Sequence, residues 1–299
     1  MAPARGFGCL SADPARPRAA IVARMNRLEA LQLVALQAQR GEIVFPTSLA
    51  LSSRIRVALD DPDIHLAAAA RLIQSEPLLA ARCVALSNSV AYQRNGDAIT
   101  DVASAVARIG LRTVRSMAQA LIVRQIAGAP RSDRNGELVA RLWEHTAHVA
   151  SLSRLIARHV THLDPETALF AGLVHDVGSF YLLSRCDELP ALLDAERGEA
   201  EEAIEIDVHR RVAATLDLPA PIVEALEIVW QGYVASPPLT LGDTVALAKE
   251  LAPVASPLVR LADAREIAPI DMLVGEEHLS GILLESAGEI DSLTRALTF

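Results

Sequence analysis

The chemistry available to this chain centres on three side chains. His175 and Asp176 stand side by side at the end of an apolar run, ALFAGLVHDVG (Ala168–Gly178). His145 lies thirty residues upstream, within RLWEHTAHVASLSRLIA. Adjacent residues on a helix point about 100° apart, so His175 and Asp176 converge on one ion only at a helix end. Imidazole nitrogen plus carboxylate oxygen suits Fe, Mn, Ni, Zn or Mg. A His-Asp dipeptide alone is common, and a buried His–Asp pair is often architectural. His145 adds weight, because an antiparallel helix pair would set it opposite His175, with His148 on roughly the same face. A divalent ion held there would polarise a phosphoryl oxygen and generate hydroxide near neutral pH.

Other polar residues offer less. Arg108, Arg112 and Arg115 flank an Ile-Gly turn, with Arg124 further along the same helix. They make either a solvated basic face or an anion or nucleotide pocket that uses the bidentate geometry of arginine. Asn88 is expected to cap a helix or bond a neighbouring loop. His209, followed by Arg210 and Arg211, reads as a surface or capping histidine. His159 and His162 are expected to end a long helix, where an imidazolium suits the dipole. His65 and His278 have no evident partner in the sequence, and Cys9, Cys83 and Cys186 match no metal or disulfide spacing.

The elements that must position these groups are helical. Hydrophobic residues make up 51% of the 299 residues and aromatics only 3%, so Ala, Leu and Val fill the interior, a mix that favours close-packed helices over a β-sandwich. Residues 1–18 read as a disordered leader, and 19–39 as a helix stopped by Gly41. Pro46 opens a helix, Asp63 caps the next, Pro77 starts another, and Asn95-Gly96 marks a turn. Thr100 or Asp101 caps a helix that Gly110 separates from its successor. The polar stretch Gly128–Gly136 is an internal boundary, followed by a long helix over 137–162. Asp164-Pro165 opens the helix that ends in the His-Asp pair. Further helices are expected near 187–197, 200–217, 219–231, 240–252 and 275–297.

Charge and hydropathy exclude some functions. The net charge of −9 and pI near 5.4 give no basic footprint for nucleic acid. Mean hydropathy is high, at +0.27, yet no run reaches the roughly 18 uninterrupted apolar residues of a membrane span. The opening residues lack the apolar core of a secretory signal. A cytoplasmic protein with reduced thiols is expected.

Several ordered blocks resemble one family. WEHTAHVASLSRLIA…PETALFAGLVHDVG is similar to the HD superfamily of metal-dependent phosphohydrolases, in which a His, a His-Asp pair and a distant Asp bind metal. Upstream, FPTSLALSSRIRVALDDPDIHLAAAARLIQSEPLLAARCVALSNSVAY and ITDVASAVARIGLRTVRSMAQALIV resemble the HDOD family of bacterial signalling output domains. The resemblance covers about residues 41–235. It implies an all-α, multi-helix bundle with an N-terminal helical subdomain (41–128) and an HD-like subdomain (137–235). Residues 1–40 form a leader and helix. Residues 236–299 form helices that pack across the HD-like subdomain or, with the N-terminal helix, make a homodimer interface.

Against the HD pattern, VALAKELA (Val245–Ala252) places Lys249 where the distant Asp belongs, with Asp243 as the fallback ligand. Val229 and Trp230 stand where the cyclic-di-GMP phosphodiesterase branch carries a second His pair, and that branch's GYP signature is absent. The resemblance therefore implies a non-catalytic signal-transduction scaffold with a degenerate metal site at His145, His175 and Asp176. Such a scaffold acts through protein partners or a nucleotide ligand and needs no cofactor. The alternative is a metal-dependent phosphohydrolase or cyclic-dinucleotide phosphodiesterase using those three residues.

Overall fold

The structure, a computed structural model, describes residues 25–43, 57–93, 98–128, 132–194, 198–216, 218–232, 237–258 and 276–298, with residues 55 and 235. Among the described residues the ordered elements are helical, with no strand. In chain order they are α1 (Arg27–Gln39), α2 (Leu66–Gln74), α3 (Pro77–Ser87), α4 (Val102–Ile126), α5 (Asp133–Ile156), α6 (Pro165–Val174), α7 (Val177–Arg185), α8 (Glu199–Thr215), α9 (Ala220–Trp230), α10 (Leu241–Leu251), α11 (Glu276–Glu285) and α12 (Ala287–Leu297). The leader, the helix expected after Pro46 as far as residue 54, and the Asn95-Gly96 turn lie outside the described residues.

Local chemistry explains most boundaries. Asp101 accepts the Ser104 amide at 2.9 Å and Asp164 accepts the Thr167 amide at 3.0 Å, each capping the helix that follows. Glu76 does the same for α3, ahead of Pro77 at the first helical position. Gly110 kinks α4 at φ +83°, a backbone state that glycine adopts without Cβ strain. Asn88 bonds both backbone groups of Ile99 at 2.7 and 2.8 Å, tying the loop after α3 to the start of α4. Three elements differ from expectation. Asp63 is not the cap of α2, whose N-cap is His65; the Asp63 amide instead turns back onto Asp61. The long helix starts earlier, at Asp133 behind a Ser132 cap, and ends at Ile156 in a π-turn, Ala157–Thr161, closed by left-handed His162. The helix expected near 187–197 is, in its described part, a single 3-10 turn, Pro190–Leu193.

The apolar core runs without a break from the helices before Gly128 (α2–α4, here called the first lobe) into those after it (α5–α10, the second lobe). One cluster runs from Leu31 and Ile73 through Val114, Trp143 and Phe180 to Leu297. Within it α5 and α6 make the most intimate pair, because a Cβ at Gly172 would lie 2.6 Å from Ala150 Cα. Pro165–Arg185 is apolar enough by composition to cross a membrane, but its apolar window is 83% buried in this core and the helix breaks at His175-Asp176.

Both ends of the described chain return to the second lobe. α1 packs on α8, and buried Arg27 donates to the Leu192 carbonyl and to Glu205. α12 packs on α5 and on α3 of the first lobe. Trp143 Nε1–H donates to the Leu297 carbonyl at 2.8 Å, and Arg82 to the Ala296 carbonyl at 3.2 Å. Removing one partner of a buried ion pair strands the other, at a cost of about 3 kcal/mol. Arg27→Ala should therefore lower the unfolding free energy from urea titration by that amount, with a matching fall in the midpoint, and speed amide exchange along α1. An unchanged midpoint would mean that α1 contributes no stability through Arg27.

Candidate functional site: a buried His-His-Asp triad

The α5–α6 crossing brings His145 and His175 face to face. Their Nε2 atoms are 3.3 Å apart, and both residues are 1% exposed. Each ring is held by a carbonyl on its other nitrogen. His145 Nδ1–H donates to Val254 O at 2.6 Å, and His175 Nδ1–H donates to Gly172 O at 2.8 Å. A carbonyl only accepts, so both imidazoles carry their proton on Nδ1. The two Nε2 lone pairs then point at each other without a hydrogen between them. Asp176 completes the set, with one ligand atom from each of the three residues lying within 4.8 Å of the others.

Asp176 is engaged from several sides. Oδ1 accepts from Ser179 Oγ, Oδ2 accepts from Ser256 Oγ at 3.1 Å, and His209 Nε2 stands 3.8 Å from Oδ1. Its residue exposure is 8%. Burial by itself would raise its pKa, but His175, His209, Lys249 and His145 hold it well below the usual carboxylate range. Burial pushes His175 down to about 3, with the charges of His145 and Lys249 adding to the effect and Asp176 opposing it. His145 is lowered too, chiefly by burial.

His209 is not on the surface. Its Nδ1 accepts the Gly178 amide at 3.2 Å, so it caps the first turn of α7 from across the lobe, and its ring lies 5.4 Å from that of Trp230. Gly178 makes this possible, since a Cβ there would fall 2.5 Å from His209 Cγ. Trp230 Nε1–H in turn donates to the His175 carbonyl at 2.8 Å. Trp230, placed by sequence at a lost histidine position, thus braces the triad's backbone, while Val229 is buried in the core.

The two α10 residues fall at opposite ends of their helix. Lys249 is half-buried at the C-terminal end, near enough for its charge to bear on all three triad residues, yet among the described residues it forms no direct ion pair with Asp176. Asp243 sits six residues earlier, about 9 Å along the helix axis. Its Oδ2 accepts from the Leu239 and Thr240 amides and from the Thr240 hydroxyl at 2.7–3.1 Å, closing a capping box. The structure places Asp243 in that cap and not among the triad's donor atoms. His148 is half-buried and its pKa is lowered by burial; its Nδ1 has no hydrogen-bond partner among the described residues, and it is not in the cluster.

The three arginines do not converge on one anion site. Arg108 donates to Ser87 O at 3.2 Å and lines one cleft. Arg112 forks onto Asp164 at 2.9 and 3.1 Å, and Arg115 Nε donates to Leu59 O, both beside a second cleft. Arg124 lies over the Trp143 ring at 5.8 Å. A polar hub between the lobes has no signal in the sequence. Glu166 accepts from Tyr92 Oη at 2.5 Å and Thr113 Oγ1 at 3.0 Å, and pairs with Arg154 at 3.1 Å, which also reaches Glu289 at 2.8 Å.

An all-α scaffold that presents a His from one helix to a His-Asp pair at the end of the next is that of an HD-type domain. Within that class the chain belongs to the HDOD family, whose domain model matches residues 45–229. Its fold is similar to that of a Shewanella amazonensis protein provisionally described as a metal-dependent phosphohydrolase (20% identity, 89% of this chain and 97% of the other, TM-score 0.66). It is likewise similar to an HDOD domain protein of unknown function from Geobacter sulfurreducens (24% identity, 91% and 97%, TM-score 0.58). A Marinobacter aquaeolei protein provisionally described as a signal transduction protein shares the fold at 16% identity (94% and 69%, TM-score 0.57). No curated protein matches the chain significantly.

In the metal-free protein, neutral His175 sets a pH dependence. The unfolded chain takes up a proton near pH 6.5 that the folded state refuses until about pH 3, so stability falls as pH drops through that window. Between pH 7 and pH 5 the loss should be about 2 kcal/mol, with His145 adding in the same direction. Urea titrations in EDTA read it directly, and a flat profile would mean a charged imidazole inside the fold. Gly178→Ala, by crowding His209, should cost about 1–3 kcal/mol in the same assay.

Proposed function

We propose that this chain is a non-catalytic HDOD regulatory module, acting through protein or ligand contacts in bacterial signal transduction. The observation that carries the reading is the enclosure of the triad. Catalytic metal sites keep an open coordination position that substrate reaches. Here His145 and His175 are 1% exposed, the Val254 carbonyl pins His145 from its Nδ1 side, and Asp176 is already engaged by the hydroxyls of Ser179 and Ser256. The Lys249 charge lies where a cation would be repelled. Buried, free Cys83 and Cys186 fit a reducing, cytoplasmic setting.

The metal-dependent phosphohydrolase remains the second reading, on one specific observation. Two imidazole lone pairs face each other at 3.3 Å beside a carboxylate, an N/N/O set that fits a divalent cation such as Fe, Mn, Ni or Zn. His145, His175 and Asp176 would hold it, and it would supply Lewis acidity toward a phosphoryl oxygen. Assays of the purified protein with added Mn(II), Fe(II) or Ni(II) separate the two. On the regulatory reading, bis(p-nitrophenyl) phosphate and cyclic dinucleotides are not hydrolysed above the buffer rate. Turnover that disappears in both His175→Ala and Asp176→Ala would replace it with the enzymatic one.

A further inference from the structure

We propose that the cleft between α4 and the α6–α9 face is a binding site for an anionic heteroaromatic ligand of nucleotide size. It goes beyond the regulatory reading, because the cleft shares no lining residue with the triad. The cavity measures about 490 Å³, within the range of small-molecule sites. It lies on the seam of the lobes, where binding energy can be coupled to their relative position.

The two walls differ in chemistry. On the HD-like side Phe170, Leu218, Pro221 and Ile222 form an apolar surface suited to the face of a planar ring. On the α4 side Arg112, Arg115 and Gln119 supply polar groups. Arg115 is oriented by its Nε–H bond to Leu59 O, which leaves its terminal NH₂ groups without a hydrogen bond or ion pair among the described residues. A guanidinium fixed at Nε with its outer edge open is arranged for a phosphate or carboxylate. Arg112 stands beside it, 65% exposed and paired with Asp164, so it adds positive potential more than a free fork.

Gln119 sharpens the ligand class. It is 5% exposed, its Nε2–H donates to Leu216 O at 3.2 Å, and its Oε1 takes no hydrogen bond from the described residues. A nearly buried amide oxygen lining a cleft calls for a donor, such as a ring N–H or an exocyclic amine. The acidic residues on the lining do not cancel the arginines equally. Both oxygens of Glu166 are taken by Tyr92, Thr113 and Arg154, which leaves Asp60 as the acidic group at the rim. Anion, flat apolar face and N–H donor together describe a nucleotide better than a free phosphate or an aliphatic acid.

Calorimetric titration of the full chain with AMP and GMP, with adenosine, guanosine and inorganic phosphate as controls, tests the assignment. A nucleotide should bind at least tenfold more tightly than its nucleoside or phosphate. Arg115→Met and Gln119→Leu should each weaken it about tenfold or more, while thermal melting checks that the variants fold. If either fails to fold, exposed Arg112→Ala, expected to weaken binding about threefold, takes its place. His175→Ala should leave affinity unchanged. No binding by either nucleotide, phosphate binding as tightly as nucleotide, or binding lost in His175→Ala but kept in the cleft variants would each overturn the proposal. None of these outcomes bears on hydrolysis, so the regulatory reading stands or falls separately.

Discussion

Backbone meets backbone where Gly172 of α6 lies against Ala150 of α5, with no space for a methyl group between them. The triad depends on it. Only at that separation do side chains thirty residues apart meet at hydrogen-bond distance, and the Gly172 carbonyl itself fixes the His175 tautomer. Everything outside the pair adapts to the crossing: α10 and α12 flank α5, α4 closes on α6, and Gly178 repeats the device one turn later by admitting the His209 ring.

Much of this was legible in the sequence because it depends on local rules. Caps at Asp101 and Asp164, proline at the start of α3 and α6, and glycine at the α4 kink are short-range features that any tertiary setting would preserve. The face-to-face histidines could be anticipated from spacing, since consecutive antiparallel helices bring such positions together. His209 could not. Its sequence neighbours are arginines, and its burial comes from a glycine thirty-one residues earlier that leaves a space for its ring. The same holds for Ser256 and Val254, which reach the triad across a long separation and carry no motif. Asp63 lost its cap to a neighbour two residues on, a competition among adjacent polar groups that spacing alone does not resolve.

The buried polar groups divide the labour between two centres. At the triad a carboxylate accepts from two hydroxyls and lies beside the imidazoles, with one ammonium nearby. At Glu166 a carboxylate binds the first lobe through Tyr92 and Thr113 and the second through Arg154, whose guanidinium also covers the Tyr92 ring at 4.9 Å. A half-satisfied buried network is costly, so displacement of either lobe strands charge at this hub.

The chain has only two tryptophans, and each indole N–H is spent on one backbone carbonyl: Trp143 on the end of α12, Trp230 on His175. Their surroundings are unlike, with an arginine guanidinium over the first and an imidazole beside the second. The molecule therefore contains its own pair of optical probes. Emission from one tracks the C-terminal clasp, emission from the other tracks the floor of the triad, and single-tryptophan variants would let the two regions be watched independently without attaching a dye.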